Sequence, residues 1–427
     1  MKPTDLIHLF GRASLLVLGL LAACTPTEAT LPGQDAVVDA SFADLAGLAD
    51  GTVVRLDARP GLADAARLND AGQVCRTGST TGVVCTPSGT LVPGAEIVAV
   101  SRDCDGRRLE VATRADESGH FRVEGLSPGP AELTIRAGSF VGVFSVEIIA
   151  GVNVPASGGL SDKICLASRA AHLAVFTGDY DRIQNTLDGL GFEYDLVCGD
   201  GDNSRSGRAL LDDPDRLAGY DILFFNCASG IDFRATNPEV RRAVEHLRAF
   251  VAGGGSVYIS DLAADIIEQT WPEVMGFGLR GRAPTEAAAC CVCTDCAPAC
   301  VSEPRPPRGC PGCCPEPDTE PMDCPRGGGV GGSAQAGTVP AHIVAPYLAD
   351  AVGSDAVEIV FNLGGWVPIL SWAPSVEVLV EDERGQPLMA VFQPEPGGGR
   401  VAYTSFHHHP QITGPLQRLL AALVLRL

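Results

Sequence analysis

A chain of 427 residues with 52 acidic and 31 basic side chains carries a formal charge of −21. So acidic a surface repels phosphate backbones, which excludes nucleic acid as an expected partner. Hydrophobic residues make up 45% of the chain, enough for two or three domains with their own cores, while 50 glycines and 31 prolines point to many turns and several linkers.

Lys2 and Arg12 flank a short polar lead, and the apolar run ASLLVLGLLAAC then ends at Cys24. The run is too short to span a bilayer but suits the core of a signal peptide. Leu21-Ala22-Ala23-Cys24 resembles the bacterial lipobox. The resemblance implies that residues 1–23 are removed and that Cys24 is acylated, tethering the body to membrane lipid at the cell envelope. Thr25 follows the cysteine rather than Asp, which by analogy with enteric sorting favours the outer membrane of a Gram-negative bacterium. No later run of about 18 apolar residues occurs, so no transmembrane helix is expected. Residues 24–71 read as a tether, with one short amphipathic helix in SFADLAGLAD.

Between 72 and 156 the period is two. TTGVVCT, AEIVAVSRD, RLEVATR, GHFRVEGL, AELTIRAG and FSVEIIAG alternate apolar and polar residues between Gly, Pro, Asp and Ser, which predicts a small all-β sandwich. The punctuation is more specific: Pro93-Gly94-Ala95, Asp116 to Phe121, and Leu126 to Gly129. In that order these resemble the carboxypeptidase regulatory-like domain, a transthyretin-like sandwich grouped with carbohydrate-binding-like folds and used mostly as an accessory module. Phe121, Phe140 and Phe144 fall at alternating positions and are expected in the core rather than on a glycan platform. In an exported chain Cys75, Cys85, Cys104 and Cys165 are expected to form disulfides, in pairs that spacing leaves open.

From 168 to 289, and again from 338 to 427, strands alternate with helices. AHLAVFTGDY, FEYDLVC, LAGYDILFFNC and SVYISDL read as strands, and DRIQNTLDGLG and NPEVRRAVEHLRAFVAGGG as helices, the second capped by Asn237. The pattern predicts an α/β domain with a mostly parallel sheet, and Asp179, Asn226 and Asp261 sit at strand ends where such folds place a site. AVFTGDY, LAGYDILFFN, LRAFVAGGGSVYIS and GGGRVAYTSFHHHP resemble the class I glutamine amidotransferase-like fold, most closely its ThuA-like branch. That family implies a Gly-x-Cys-x-Gly elbow after SVYIS and a later His-Pro-Glu completing a triad. Here Ser260 and Asp261 stand at the elbow without the glycines, and Gln411 replaces the acid, so the resemblance implies a lost Cys-His-Glu triad. Cys227 belongs to the preceding strand and is expected buried or disulfide-bonded.

His407, His408 and His409 form the loop after the last strand. On a strand end they alternate faces, so at most two could share a ligand, with Asp179 or Asp261 as a third donor. Residues 290–337 hold nine cysteines among prolines and glycines. Cys293-x-x-Cys296 and Cys310-x-x-Cys313 approach zinc-ribbon spacing, but in an exported, Pro-rich insertion a disulfide-knotted loop is favoured over a metal site. Trp366 and Trp372 suit either a ligand platform or packing, and GPLQRLLAALVLRL reads as a closing amphipathic helix. The expectation is a lipid-anchored envelope protein that binds or scaffolds a glycan or protein partner without catalysis and without a cofactor. The alternatives are a metal- or serine-dependent hydrolase using the histidine loop with Asp179, Asp261 or Ser260, and a metal-binding or redox lipoprotein acting through the cysteine loop.

Overall fold

The computed structural model describes residues 74–159, 161–178, 180–197, 205–227, 233, 238–278, 336–408, 410–411 and 414–427, with only the backbone of 54–57, 67–68 and 205–206. Cys24, the helix expected in 41–50, Asp179, the Asn237 cap, His409 and the cysteines at 293, 296, 310 and 313 lie outside these residues. No helix among the described residues is long and apolar enough to cross a membrane.

The first domain begins with β1 (Val54–Asp57) and the short pair β2 (Arg67–Leu68) and β3 (Val74–Cys75). It continues through β4 (Gly78–Cys85), β5 (Glu96–Arg102), β6 (Arg108–Arg114), β7 (His120–Leu126), β8 (Gly129–Ala137), β9 (Phe140–Ile148), β10 (Asn153–Pro155) and β11 (Lys163–Cys165). One sheet runs β1-β6-β5-β8-β9; in the other, β4 carries β10 and β11 parallel along it and β7 antiparallel. Each of the six alternating segments is a strand. The alternation becomes burial directly: Ile97 and Ala99 of β5 and Leu133 and Ile135 of β8 are fully buried between the sheets, as is Phe140, with Phe121 nearly so. Phe144 packs half-buried at the edge of the same core. Two disulfides close the domain, Cys75–Cys104 and Cys85–Cys165.

The second domain runs β12 (Leu173–Phe176), α1 (Gln184–Leu190), β13 (Asp195–Val197), α2 (Arg205–Leu211), α3 (Pro214–Leu217), β14 (Ile222–Phe225), α4 (Pro238–Ala252), β15 (Ser256–Ser260) and α5 (Asp265–Thr270). After β16 (Met275–Phe277) and the insertion come β17 (Gly337–Ile343), α6 (Pro346–Val352), β18 (Ala356–Phe361), β19 (Ile369–Trp372), β20 (Glu377–Asp382), β21 (Pro387–Phe392), β22 (Val401–Thr404) and α7 (Gly414–Val424). Nine strands form one sheet in the order β13-β12-β14-β15-β22-β21-β20-β17-β18. The first five are parallel, and every pairing from β22 through β18 is antiparallel. The sheet is thus mixed rather than mostly parallel. Helices connect the parallel strands of the first half, whereas β20 and β21 are joined by a tight turn with Gly385 in the left-handed region, a link that only antiparallel neighbours can use.

Strands β12, β14 and β15 are buried on both faces, which is why they read as unbroken apolar runs. Leu173, Val175, Ile222 and Phe224 face a core continuous with that of the sandwich. Ala174, Phe176, Leu223 and Phe225 face the opposite core, under α4 and α5. Leu416, Leu419, Leu420 and Leu423 of α7 insert at helical spacing into the shared core.

Candidate functional site

Register decides what meets at the carboxyl edge of the parallel strands. Phe176 pairs with Phe225, Phe225 with Ile259, and Ser260 with Thr404, so the residues just after β12, β14, β15 and β22 emerge side by side. The loops there are tightly crossed: a Cβ on Gly178 would lie 2.2 Å from the Cys227 carbonyl oxygen. Only glycine fits that approach.

Strand β15 ends in a sharp turn at Asp261, which has φ of 44° and is the one non-glycine residue with positive φ among those described. A 3-10 turn over Asp261–Ala264 and then α5 follow directly. This is the strand–turn–helix elbow on which nucleophiles are displayed, formed here without flanking glycines. Aspartate is among the few side chains that enter the left-handed region readily.

Both oxygens of its carboxylate are bonded within the protein. Oδ1 accepts from the Val367 amide at 2.6 Å, while Oδ2 lies 3.0 Å from His407 Nε2 and 3.6 Å from Cys227 Sγ. Asp261 and His407 are each 4% exposed, and Cys227 is completely buried. On its other side the His407 ring places Nδ1 2.9 Å from Asn362 Oδ1. Gln411 bonds the main chain of His407 and Val360 through its amide rather than the His407 ring. Tyr403 donates to the Val367 and Asp261 carbonyls, fixing the wall opposite.

Burial pushes the Cys227 thiol far above its ordinary range, and the Asp261 charge adds to the effect, so this cysteine stays protonated. It is free and buried. The Cys227 sulfur, an Asp261 oxygen and a His407 nitrogen nevertheless lie within 4.8 Å of one another, a spacing compatible with three corners of a metal site.

His408 turns to a different partner. Its amide donates to Asp181 Oδ1 at 2.6 Å, and its Nδ1 is 3.1 Å from Asp181 Oδ2. Tyr258 packs edge-on against the ring and reaches Nδ1 with its hydroxyl, which also bonds Thr404. Burial pushes the Asp181 carboxyl up, but the His408 charge and hydrogen bonds, with the His407 charge behind them, outweigh it and hold Asp181 at about 2. His408 Nε2 and the Ser260 hydroxyl are buried without a hydrogen-bond partner among the described residues.

The structure therefore brings together Asp261, His407 and Cys227, with Asp181 and His408 as a second buried pair. Asn226 instead holds the start of α1, accepting from the Ile183 amide and donating to Gln184. Trp366 stacks on Phe361 at 4.3 Å, and Trp372 is 40% exposed on the small β16–β19 ribbon. Sequence reasoning missed Asp181 and Asn362. The signal for Asp181 was present, since it follows β12 in the same GDYD stretch that contains Asp179. Asn362 offered none.

Residues 79–157 match the family model of the Carboxypeptidase regulatory-like domain, which accounts for the sandwich. No curated protein matches the chain. Among solved structures it is similar to a ThuA-like protein from Bacteroides uniformis, at 10% identity over 59% of this chain and 89% of that one, TM-score 0.32. It is also similar to a GMP synthase component from Thermoplasma acidophilum, at 9% identity over 60% and 94%, TM-score 0.33. A glutamine amidotransferase from Thermotoga maritima matches at 9% over 60% and 92%, TM-score 0.31. With likeness this distant, function has to be argued from the chain's own residues.

Proposed function

We propose that this protein is an exported lipoprotein, anchored at the cell envelope through acylated Cys24, whose α/β domain binds or positions a partner without amidotransferase chemistry. One observation carries the reading: Asp261 stands buried at the turn after β15, and both its carboxylate oxygens are bonded within the protein. A nucleophile needs an accessible lone pair, and a hydroxyl or thiol also needs a base, a lowered pKa or a metal to activate it. Asp261 is buried with both oxygens bonded, Cys227 is kept as a thiol, and Ser260 has no hydrogen-bonded base among the described residues. Phe121 and Phe140 of the sandwich lie in its core, so any glycan contact falls elsewhere.

Anchoring has a direct test. In a Gram-negative host fed tritiated palmitate, the full chain is expected to take up label and sediment with membranes, and Cys24→Ala is expected to lose both. Label retained by Cys24→Ala would remove the anchor from this reading.

A second reading rests on the Cys227, Asp261 and His407 cluster. Asn362 on the far nitrogen of His407 is the kind of partner that orients a metal-bound imidazole, and a cation would reverse the electrostatics that keep Cys227 protonated. Metal analysis of protein purified without chelator separates the two. A resident centre gives about one divalent ion per chain, lost in Cys227→Ser. The non-catalytic reading expects no stoichiometric metal in either protein.

A further inference from the structure

In a chain of net charge −21, four arginines line a single cleft of about 410 Å³ between the sandwich and the α/β domain. Arg114 ends β6 and Arg136 lies near the end of β8, so two come from the sandwich. Arg400 precedes β22 and Arg426 follows α7, so two come from the other domain. Arg114 is paired with Glu96, a short contact at the exposed rim. Arg400 and Arg426 make no ion pair among the described residues, and both are only half-exposed. Tyr347 positions Arg426, whose guanidinium carbon sits 3.9 Å from the ring centroid.

Cations converging across a domain junction repel one another, and Arg426 lies among them. Burial lowers its pKa, Tyr347 opposes this, and the charges of Arg400 and Arg114 depress it further, with Glu377 acting the other way. The Leu427 carbonyl oxygen in the same cleft is occupied by the hydroxyls of Ser139 and Ser256, one from each domain. Gly138, with φ of 57°, lets the sandwich turn close on it: a Cβ there would lie 2.8 Å from the Arg426 backbone.

We infer that this cleft is a binding site for a small oxyanion, a phosphate- or carboxylate-bearing molecule held by Arg400 and Arg426 and closed from the sandwich side by Arg114 and Arg136. Guanidinium groups match such anions with paired, charge-assisted hydrogen bonds. The volume suits a molecule of sugar-phosphate or tricarboxylate size. Occupancy would offset the repulsion between the arginines and join the two domains. The inference goes beyond the reading of the elbow and does not depend on it.

Calorimetric titration of the soluble mature chain with inorganic phosphate and, separately, with citrate tests the site and distinguishes the two chemistries. Wild type is expected to show one saturable site for at least one probe, weakened about tenfold or more in Arg400→Gln and in Arg426→Gln. Arg122→Gln, a sandwich arginine outside the cleft paired with Glu124, is expected to bind like wild type. Should either cleft variant fold poorly, wild-type affinity must still fall several-fold between about 0.05 and 0.5 M NaCl. No saturable binding of either probe, unchanged affinity in both folded cleft variants, or salt-insensitive binding overturns the inference.

Discussion

Asp181→Ala is expected to lower the unfolding free energy by about 3–5 kcal/mol, because it removes the buried acceptor to which both the amide and the ring of His408 are bonded. The carboxylate accepts three bonds, from the amides of Arg182 and His408 and from the His408 ring, and its side chain is wholly buried. The buried His408 amide is left without an acceptor when the carboxylate is removed, and the ring nitrogen keeps only the Tyr258 hydroxyl. Asp181→Asn keeps an acceptor oxygen and is expected to cost less. The pH dependence has a definite sign: the folded-state value of about 2 lies below the ordinary 3.8. The stabilisation is therefore complete above about pH 4 and is lost as pH falls toward 2, a change of about 2 kcal/mol by linkage. Urea unfolding of wild type and Asp181→Ala at pH 7 and near pH 2 checks both statements. A variant as stable as wild type at pH 7, or a gap that fails to narrow in acid, would contradict them.

The second large effect is expected from Cys85–Cys165. The bridge closes a separation of 80 residues and ties β11 to the middle strand of the smaller sheet, just before the chain enters the α/β domain. Loop entropy at that length gives about 4 kcal/mol, while the 29-residue separation of Cys75–Cys104 gives about 1 kcal/mol less. Paired alanine substitutions at 85 and 165 should thus lower the unfolding midpoint more than those at 75 and 104. Equal shifts, or a loss under about 1 kcal/mol for the longer bridge, would show that the oxidised and reduced chains unfold from similarly restricted states.

The strands were legible because burial writes itself into short-range pattern. In β5 alternate residues turn to the core, and in β12, β14 and β15 all do, so one reads as period two and the others as solid apolar runs. The antiparallel half was less legible. Nothing in VEVLVED or PLMAVF states the direction of its neighbour, and pairing was settled by the turn at Gly385 and the return of β22 beside β15.

The site divides the same way. Asp261 and the histidines stood out because they follow strands, but their partners come from distant segments: 45 residues separate His407 from Asn362, and 227 separate His408 from Asp181. Sequence favours Asp179 over Asp181 because a strand end is easy to find while the direction of the loop beyond it is not. The elbow conformation was invisible for a different reason. Its usual signal is flanking glycine, and here aspartate itself occupies the left-handed region.

The claim that the elbow carboxylate has replaced a working nucleophile is tested most directly by turnover. Ammonia release from glutamine and nitrophenol release from p-nitrophenyl acetate would be followed with wild type, Asp261→Asn and His407→Gln, each checked for an unchanged fold. The expected result is a rate equal to the buffer blank for all three proteins. Saturable wild-type turnover that drops about a hundredfold or more in both folded variants would contradict it and make Asp261 and His407 catalytic.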